Sequence, residues 1–278
     1  MLCTLTLFCT LALAGAPALE STCQQVAPAP VDGKWVRSPM QKRAVVLIHG
    51  YYFHFKDKNV PKAQPRPWQA ADSSLVKELA KSSDVFVFAY GQNASVDTIV
   101  KQSKLSESVA QLRKLGYREI VLVGHSAGGL IARHFVEDHP DSGVTRVVQV
   151  CAPNAGSPLA SFQGAKSQRA FLACLTEEGR KQCLKDRSAK LIPAKVQFLC
   201  VVAKGDGQGE TDGVVPWASQ WSGDLQKQGI PAVVLPGDHR AVVRDSKMAE
   251  ALANLIRDEQ PRWNAERIEK AKKEIFGK

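Results

Sequence analysis

The chain has 278 residues, of which 44% are hydrophobic and 7% aromatic, and its formal net charge at pH 7 is +10. This length and composition predict a single catalytic domain with one substantial hydrophobic core. The positive charge favours contact with an anionic membrane or envelope surface. It does not indicate nucleic-acid binding, because the sequence has no compact block of Lys and Arg and no basic motif interleaved with aromatic residues.

The first 18 residues are typical of a secretory signal peptide. Residues 2–14 are nearly all apolar or Thr, a run too short to span a bilayer, and the small residues Ala16 and Ala18 precede the expected cleavage point. We therefore expect a secreted or periplasmic protein. No Lys or Arg precedes the apolar run, so the basic start of an ordinary signal peptide is missing, and an uncleaved membrane anchor is the alternative.

Cysteines follow the expected cleavage point at positions 23, 151, 174, 183 and 200, and export would permit disulfides among them. Cys174 and Cys183 lie in a polar segment and could pair, whereas Cys151 and Cys200 end apolar runs and are typical of buried thiols. The sequence has no Cys-x-x-Cys pair and no His cluster with zinc-binding spacing. No structural metal is therefore expected.

After an N-terminal extension at 19–42, apolar β-branched runs alternate with helical periodicities. This alternation predicts an α/β domain at 43–260, with a mostly parallel sheet and helices on both faces. A basic helix at 261–278, solvated or loosely packed, is expected to end the chain. Strands are expected at 43–48, 85–90, 119–123, 146–151, 196–202 and 232–235, and helices at 70–82, 96–115, 127–138 and 246–258.

The loop directly after the strand at 43–48 reads His49-Gly50-Tyr51. In a serine hydrolase built on such a sheet, a backbone N–H group from this loop and another from the residue after the nucleophile hold the oxyanion that forms during the reaction. Those residues would be Tyr51 and Ala127. Gly50 allows the main chain to approach the substrate closely.

Residues 124–128, with the sequence GHSAG, lie between the strand expected at 119–123 and the helix expected after it. A Ser between two Gly at a strand-to-helix junction is a nucleophile elbow, a turn so tight that only small neighbours fit. It predicts Ser126 as a catalytic nucleophile. A Gly-x-Ser-x-Gly pattern arises by chance in roughly one chain of this size in ten, so the prediction depends on this setting.

The partners of such a serine follow it along the chain in the order Asp or Glu, then His. Asp212 comes after the strand expected at 196–202, and His239 comes after the strand expected at 232–235. His239 would take the proton from Ser126, and Asp212 would orient the imidazole. Asp206 lies nearer the end of its strand and is the alternative acid.

Four segments resemble the α/β-hydrolases, and within them the bacterial triacylglycerol lipases and the GPI inositol-deacylase group. They are 45–51 (VVLIHGY), 121–133 (VLVGHSAGGLIAR), 152–160 (APNAGSPLA) and 212–216 (DGVVP). The resemblance implies the α/β-hydrolase fold, a lipid or other ester as substrate, no cofactor, and Asp212 as the triad acid. It also implies cleavage of carboxylic esters through an acyl-enzyme on Ser126. Alternatives are a thioesterase, an acyltransferase, a polyester depolymerase or a non-catalytic binding protein.

The sequence differs from similar lipases in two segments. A cap-like insertion at about 155–194 is hydrophilic and is interpreted either as a lid or as an exposed loop; its basic residues are Arg169, Lys181, Lys185, Arg187 and Lys190. The aromatic segment 51–55 (YYFHF) either lines an acyl pocket or packs at the domain edge, with His54 expected at the surface. The same two interpretations apply to Trp217 and Trp221.

Overall fold

The computed structural model describes residues 18–54, 56–161, 164–205 and 209–277. Its centre is a seven-stranded sheet in the order β1-β3-β2-β4-β5-β6-β7. The strands are β1 (Ser21–Ala27), β2 (Arg43–Ile48), β3 (Asp84–Tyr90), β4 (Glu119–His125), β5 (Arg146–Val150), β6 (Gln197–Lys204) and β7 (Ala232–Pro236). Six of them run parallel, and only β1 is antiparallel to its neighbour. The mostly parallel α/β sheet expected from the sequence is confirmed.

Helices cover both faces of this sheet. Among the described residues they are α1 (Ser74–Ala80), α2 (Val96–Gln102), α3 (Leu105–Lys114), α4 (Ala127–Asp138), α5 (Arg169–Ala173), α6 (Glu177–Asp186), α7 (Trp217–Gln220), α8 (Gly223–Lys227), α9 (Ala241–Arg244), α10 (Ser246–Arg257) and α11 (Ala265–Phe276). None of them is long and apolar enough to cross a membrane.

Strand β2 shows how one apolar run builds two cores. Successive side chains of a strand point to opposite faces, so Val46 and Ile48 pack in the core beneath α2, α3 and α4, while Val45 and Leu47 pack in the core beneath α1 and α10. All four are fully buried. Each such side chain stabilises the fold by about 1.5–3 kcal/mol relative to leaving it exposed.

Two elements differ from the sequence-based expectations. Strand β1 lies within 19–42, where no strand is expected, and pairs with the edge of β3 from Ser21 opposite Tyr90 to Ala27 opposite Val85. The single helix expected at 96–115 is two helices, α2 and α3. It breaks because Ser103 adopts an extended backbone and its hydroxyl accepts from the N–H of Leu105, which starts α3.

The C-terminal helix α11 is packed rather than solvated. Ile268, Ala271 and Ile275 are buried on one face, and Phe276 stacks on Trp221 with ring centroids 6.0 Å apart. The expectation of a loosely packed helix is wrong because its few apolar residues recur at helical spacing and together form one stripe.

The predicted signal peptide and the predicted disulfide have different outcomes. The signal peptide lies outside the described residues except for its last residue, Ala18. All five cysteines of the described chain are free thiols, so the structure contains no disulfide between Cys174 and Cys183.

Candidate active site

Ser126 stands in the turn between β4 and α4. Its backbone has φ 55° and ψ −128°, a conformation that costs a non-glycine residue conformational energy, and its N–H donates to the carbonyl of Val150 at 2.8 Å. A Cβ at Gly128 would lie 2.4 Å from the carbonyl oxygen of Ile48. Only Gly therefore lets α4 approach β2 this closely, and the geometry is that of a nucleophile elbow.

The loop after β2 lies directly against this serine. A Cβ at Gly50 would stand 2.5 Å from Cβ of Ser126 and 3.1 Å from its Oγ. The Gly50 carbonyl accepts from Nε2 of Gln92 at 3.0 Å and lies 2.8 Å from Nδ1 of His49. These contacts fix the loop, and any side chain at position 50 would displace it from Ser126.

Two backbone donors remain near this serine. Ala127 is the first residue of α4, and the N–H groups of a helix's first turn have no partner inside the helix. Within the described chain, neither the Ala127 N–H nor the Tyr51 N–H donates to a protein acceptor. The two residues predicted to hold an oxyanion thus both have a backbone donor to offer.

Asp212 and His239 contact each other, although they follow different strands. Oδ2 of Asp212 lies 2.7 Å from Nδ1 of His239. Oδ1 of Asp212 accepts from the N–H groups of Val214 at 2.9 Å and Val215 at 2.7 Å. The His239 N–H donates to the Asp212 carbonyl at 2.9 Å, so the pair is held by backbone as well as side-chain bonds.

The carboxyl group of Asp212 stays ionised in this environment. Burial acts to raise its pKa, but the hydrogen bond and charge of His239 and the two backbone donors outweigh burial and hold the pKa below its ordinary value. The thiol of Cys151 also contacts this carboxylate, and burial followed by the carboxylate charge raises the pKa of that thiol far above its usual range. Cys151 is therefore a neutral thiol beside the Asp212 carboxylate. Sequence reasoning assigns it no such role.

Ser126 and His239 line the same cavity. In the described structure no hydrogen bond joins the Ser126 hydroxyl to the imidazole of His239; in enzymes without substrate this bond is often long or misaligned. His125 supports the position of His239, because its Nε2 lies 2.7 Å from the His239 carbonyl.

Two further histidines near the site are neutral. Burial, with the charges of nearby groups, lowers the pKa of His125 and of His49 to about 3 each. A neutral His125 donates through Nε2, since its partner is a carbonyl. His49 stacks on Tyr90 with centroids 4.3 Å apart, and its own carbonyl accepts from the Tyr90 hydroxyl at 2.8 Å. Both therefore fix loops rather than move protons.

The cavity in front of Ser126 measures about 620 Å³, within the range of about 300–1000 Å³ typical of small-molecule sites. Its walls are mainly apolar and come from the cap, from the loop after β2 and from the segments around Asp212 and His239. The apolar and aromatic side chains among them are Tyr51, Tyr52, Phe53, Trp68, Pro153, Leu159, Ala160, Leu172, Leu175, Val214, Val215 and Val243.

These walls decide between the interpretations of the aromatic residues. Tyr51, Tyr52 and Phe53 line the cavity. Trp221 instead is fully buried and donates from Nε1 to the carbonyl of Ile230 at 2.8 Å, and Trp217 is covered by Lys204, whose Nζ lies 4.4 Å from its ring centroid. Both tryptophans therefore serve packing.

His54 is not at the surface. It is buried at 6% exposure, so its expected surface position is wrong; its ring packs edge-on against Tyr52, with centroids 5.4 Å apart. Phe55 and the alternative acid Asp206 lie outside the described residues.

The cap is attached to α4 by buried ions. Nη2 of Arg187 lies 2.8 Å from Glu137 and 3.0 Å from Asp138, and Nη1 of Arg180 lies 3.1 Å from Nε2 of His134. The Arg187 side chain is 8% exposed and that of Glu137 is 1% exposed. At this point the hydrophilic cap is therefore not an exposed loop, and its charged side chains are not solvated. Its arginines reach into the domain.

Potential metal ligands gather in two places within the described chain, and both groups are engaged with protein partners. His125, Cys151 and His239 lie together, as do Asp97, His134 and Cys183. The first group belongs to the arrangement around Asp212. In the second, Nδ1 of His134 lies 2.8 Å from Asp97 while its Nε2 faces the Arg180 guanidinium, so both ring nitrogens are occupied and a cation already stands beside them.

Comparison with known proteins adds a family and a fold. A family model described as Domain of unknown function (DUF7379) matches residues 17–213, which include Ser126 and Asp212. The search of curated protein sequences gives no match.

Solved structures similar to this chain include three bacterial or metagenomic enzymes. The mature form of Bacillus licheniformis lipase BlEst2 is 14% identical with a TM-score of 0.60, and the match covers 85% of this chain and 98% of that one. The metagenomic carboxyl esterase MGS0156 is 17% identical with a TM-score of 0.54, covering 83% and 81%. Phospholipase PlaB from Legionella pneumophila is 15% identical with a TM-score of 0.57, covering 84% and 63%. These similarities confirm the α/β-hydrolase fold that the sequence segments imply.

Proposed function

The chain belongs to the family described as Domain of unknown function (DUF7379), and we propose that this member is a serine hydrolase that cleaves carboxylic esters. One observation carries the proposal: an ionised Asp212 lies 2.7 Å from His239, and that imidazole shares a cavity with a serine held at φ 55°. Strained backbone of this kind persists where surrounding structure enforces it, and it concentrates at functional sites.

The roles of the three residues follow from what ester cleavage requires. A serine hydroxyl is a weak nucleophile until a base removes its proton. His239 would take that proton on Nε2 as Oγ of Ser126 attacks the ester carbonyl. Asp212 would keep the other nitrogen, Nδ1, as a donor and would stabilise the imidazolium that forms.

The remaining steps use the backbone donors beside the serine. The tetrahedral intermediate carries an oxyanion, which would accept from the N–H groups of Tyr51 and Ala127. His239 would then return its proton to the leaving alcohol, and the acyl group would remain on Ser126. A water molecule, deprotonated by the same imidazole, would attack the acyl-enzyme and release the acid, with Ser126 recovering its proton.

The substrate class rests on the walls of the cavity and on the similar structures. Apolar side chains such as Leu159, Leu172 and Leu175 offer a place for an acyl chain. Similar solved structures include a lipase, a carboxyl esterase and a phospholipase. We therefore propose a lipid or related acyl ester as substrate. Thioesters and polyesters react by the same steps and belong in the same substrate series.

The place of action is part of the proposal. The apolar start of the chain and the small residues Ala16 and Ala18 support export, as a secreted or periplasmic protein. Sequencing the N-terminus of protein recovered outside the cytoplasm tests this. Cleavage after Ala18 would support it, whereas an intact apolar segment in the membrane fraction would point to an anchor.

A covalent probe tests the chemistry. A fluorophosphonate should label the wild type and should not label Ser126→Ala, because the probe reacts only with an activated serine. Ser246→Ala, which removes an exposed serine on α10, should be labelled like the wild type. A folded wild type that is not labelled would contradict the proposal. A series of acyl esters and thioesters of increasing chain length then defines the substrate.

A further inference from the structure

The cavity in front of Ser126 carries charge of one sign only. Arg66, Arg240 and Arg244 are among the described residues that line it, whereas none of those residues is an Asp or Glu. A cleft with cationic side chains and low-dielectric walls concentrates anions. The lining therefore attracts negatively charged ligands more strongly than neutral ones, even before any contact is made.

Arg66 is the most informative of the three. Its Nε is buried and has no hydrogen-bond partner, and the guanidinium makes no ion pair with any described residue. Burial lowers its pKa. The side chain as a whole is only partly buried, but a buried N–H group without an acceptor is costly. The Nε–H group is therefore available to a partner that the described chain does not supply.

The position of Arg66 is fixed by its surroundings. Its Cζ lies 4.0 Å from the ring centroid of Tyr52, and its backbone N–H donates to Oε1 of Gln69 at 2.8 Å. The stacking recovers part of the lost hydration through a cation–π contact, but the ring offers no acceptor to the guanidinium N–H groups. Stacking therefore orients the guanidinium N–H groups but gives them no hydrogen-bond acceptor.

Arg240 and Arg244 line the cavity from the segment that follows β7. They follow His239 and lie four residues apart around the single turn α9, and both are exposed. The nearby carboxylate of Asp238 is occupied by the backbone N–H groups of Arg240 and Ala241, each at 2.7 Å. Neither arginine makes an ion pair within the described chain.

The sheet order places these charges on two sides of the serine. Arg66 stacks on Tyr52 in the loop after β2, while Arg240 and Arg244 come after β7, and β4, which carries Ser126, lies between those strands. The cavity therefore combines apolar walls from the cap with three cationic side chains.

We propose that the preferred substrates are acyl esters whose alcohol portion carries a phosphate or similar oxyanion, and that Arg66 is the residue that binds this anion. The proposal rests on the ester hydrolysis proposed above. Guanidinium is suited to this role because its planar donors match two oxygens of a phosphate at once. Arg240 and Arg244 raise the local concentration of the anionic substrate.

Matched esters that differ only in the phosphate test the proposal. One pair is 1-butyrylglycerol with its 3-phosphate, and the other is 1-palmitoylglycerol with its 3-phosphate; release of the fatty acid gives kcat/KM for each. The wild type should prefer the phosphate in at least one pair by about tenfold to a hundredfold, the usual worth of a hydrogen bond to a charged group. Preference in the butyryl pair points to a soluble phosphate ester, and preference in the palmitoyl pair alone points to a lipid.

Variants assign the preference to Arg66. Arg66→Gln should lower kcat/KM for the phosphate ester far more than kcat/KM for the neutral ester, so that most of the preference is lost. Arg118→Gln removes the same charge from an exposed residue at the opposite end of β4 and should keep the preference. If Arg66→Gln folds poorly, the double variant Arg240→Gln with Arg244→Gln, on exposed positions, should lower the preference and make it less sensitive to salt.

The outcomes separate this inference from the proposed function. Equal hydrolysis of both members of each pair, or preference for the neutral ester, overturns the anion site while leaving a serine hydrolase. Labelling of Ser126 by the fluorophosphonate without hydrolysis of any of the four esters also overturns it. Absence of both labelling and hydrolysis in folded protein overturns the proposed function itself.

Discussion

The loops around Ser126 and the cap that helps to wall the cavity meet in one place but are held by different forces. The loops after β2, β6 and β7 are fixed by hydrogen bonds to backbone groups, such as those from Val214 and Val215 to Asp212. The cap is fixed by charges that reach about 50 positions back along the chain, from Arg187 to Glu137. Geometry at the reacting atoms is therefore set largely by hydrogen bonds to backbone groups, whereas attachment of the cap is electrostatic.

The sharpest way to test this contrast is to change the acid of the proposed triad. Asp212→Asn should lower kcat by about 10⁴-fold, because the amide no longer stabilises the imidazolium or fixes its tautomer. Stability should change little, since the amide oxygen can still accept from Val214 and Val215. Ester turnover and thermal unfolding measure the two effects.

The alternative acid serves as the matched control. Asp206→Asn removes the same charge from the same connection between β6 and α7 and should leave turnover near that of the wild type. If Asp206→Asn lost more turnover than Asp212→Asn, Asp206 would be the triad acid and Asp212 would not.

A substitution in the cap should instead lower stability and leave turnover nearly unchanged. Arg187→Gln should lower the free energy of unfolding by about 3 kcal/mol, because it removes a buried charge that pairs with both Glu137 and Asp138 and leaves Glu137 with Arg133 alone. Below the new melting temperature, turnover per folded molecule should stay within a few-fold of the wild type. Urea denaturation and probe-titrated active-site concentration measure both quantities.

Lys190→Gln offers a control on the same cap. Lys190 pairs with Asp138, as Arg187 does, but its side chain is 44% exposed. The loss of stability should be at most about 1 kcal/mol, as for surface pairs. Equal losses in the two variants would show that burial does not distinguish them.

A third expected effect, smaller than that of Arg187→Gln, is on the pH dependence of stability. Burial, together with Arg180 and Arg187, lowers the pKa of His134 to about 4, although Asp97 and Glu137 act to raise it. An unfolded chain therefore binds a proton below pH about 6.5 that the folded chain excludes, and stability falls as the pH decreases towards 4. Between pH 7 and pH 5, the free energy of unfolding of His134→Gln should fall by about 2 kcal/mol less than that of the wild type.

Urea denaturation at the two pH values measures this difference. The neighbours of His134 do not offset the effect, because Asp97, whose pKa is lowered to about 2 chiefly by its hydrogen bond with His134, stays charged throughout. His49 and His125 contribute in the same direction in both proteins. Identical losses in the wild type and His134→Gln would contradict the assignment.

The sequence predicts the sheet well where strands are buried on both faces. The six parallel strands all begin and end within two residues of the expected positions, because continuous β-branched runs between turn residues have few other interpretations. Strand β1 escapes detection because Ser21–Ala27 is an edge strand with Thr and Gln among its seven residues, buried only at Gln25. The sequence pattern of β1 does not indicate a strand; the segment forms one because it pairs with β3 in the folded protein.

The residues of the candidate site likewise fall into a group that the sequence predicts and a group that it does not. The residues at 50, 126, 212 and 239 stand out because each follows an expected strand, and parallel strands end at a common edge. The roles of Cys151, Arg66 and Arg187 have no comparable signal. Cys151 directly follows β5, where the chain turns with a positive φ of 56°. A buried arginine looks like a surface one until its distant partners are known.

The anchored cap has a consequence for how the cavity is reached. Tyr52, Phe53 and Leu159 at its walls are 43–47% exposed, so the cavity is open in the state that the buried arginines hold in place. A ligand that enters a site already open loses none of its affinity to opening that site. Dispersed monomers and molecules in an aggregate would then find the same entrance, and turnover would follow simple saturation without a jump at the concentration where substrate forms micelles.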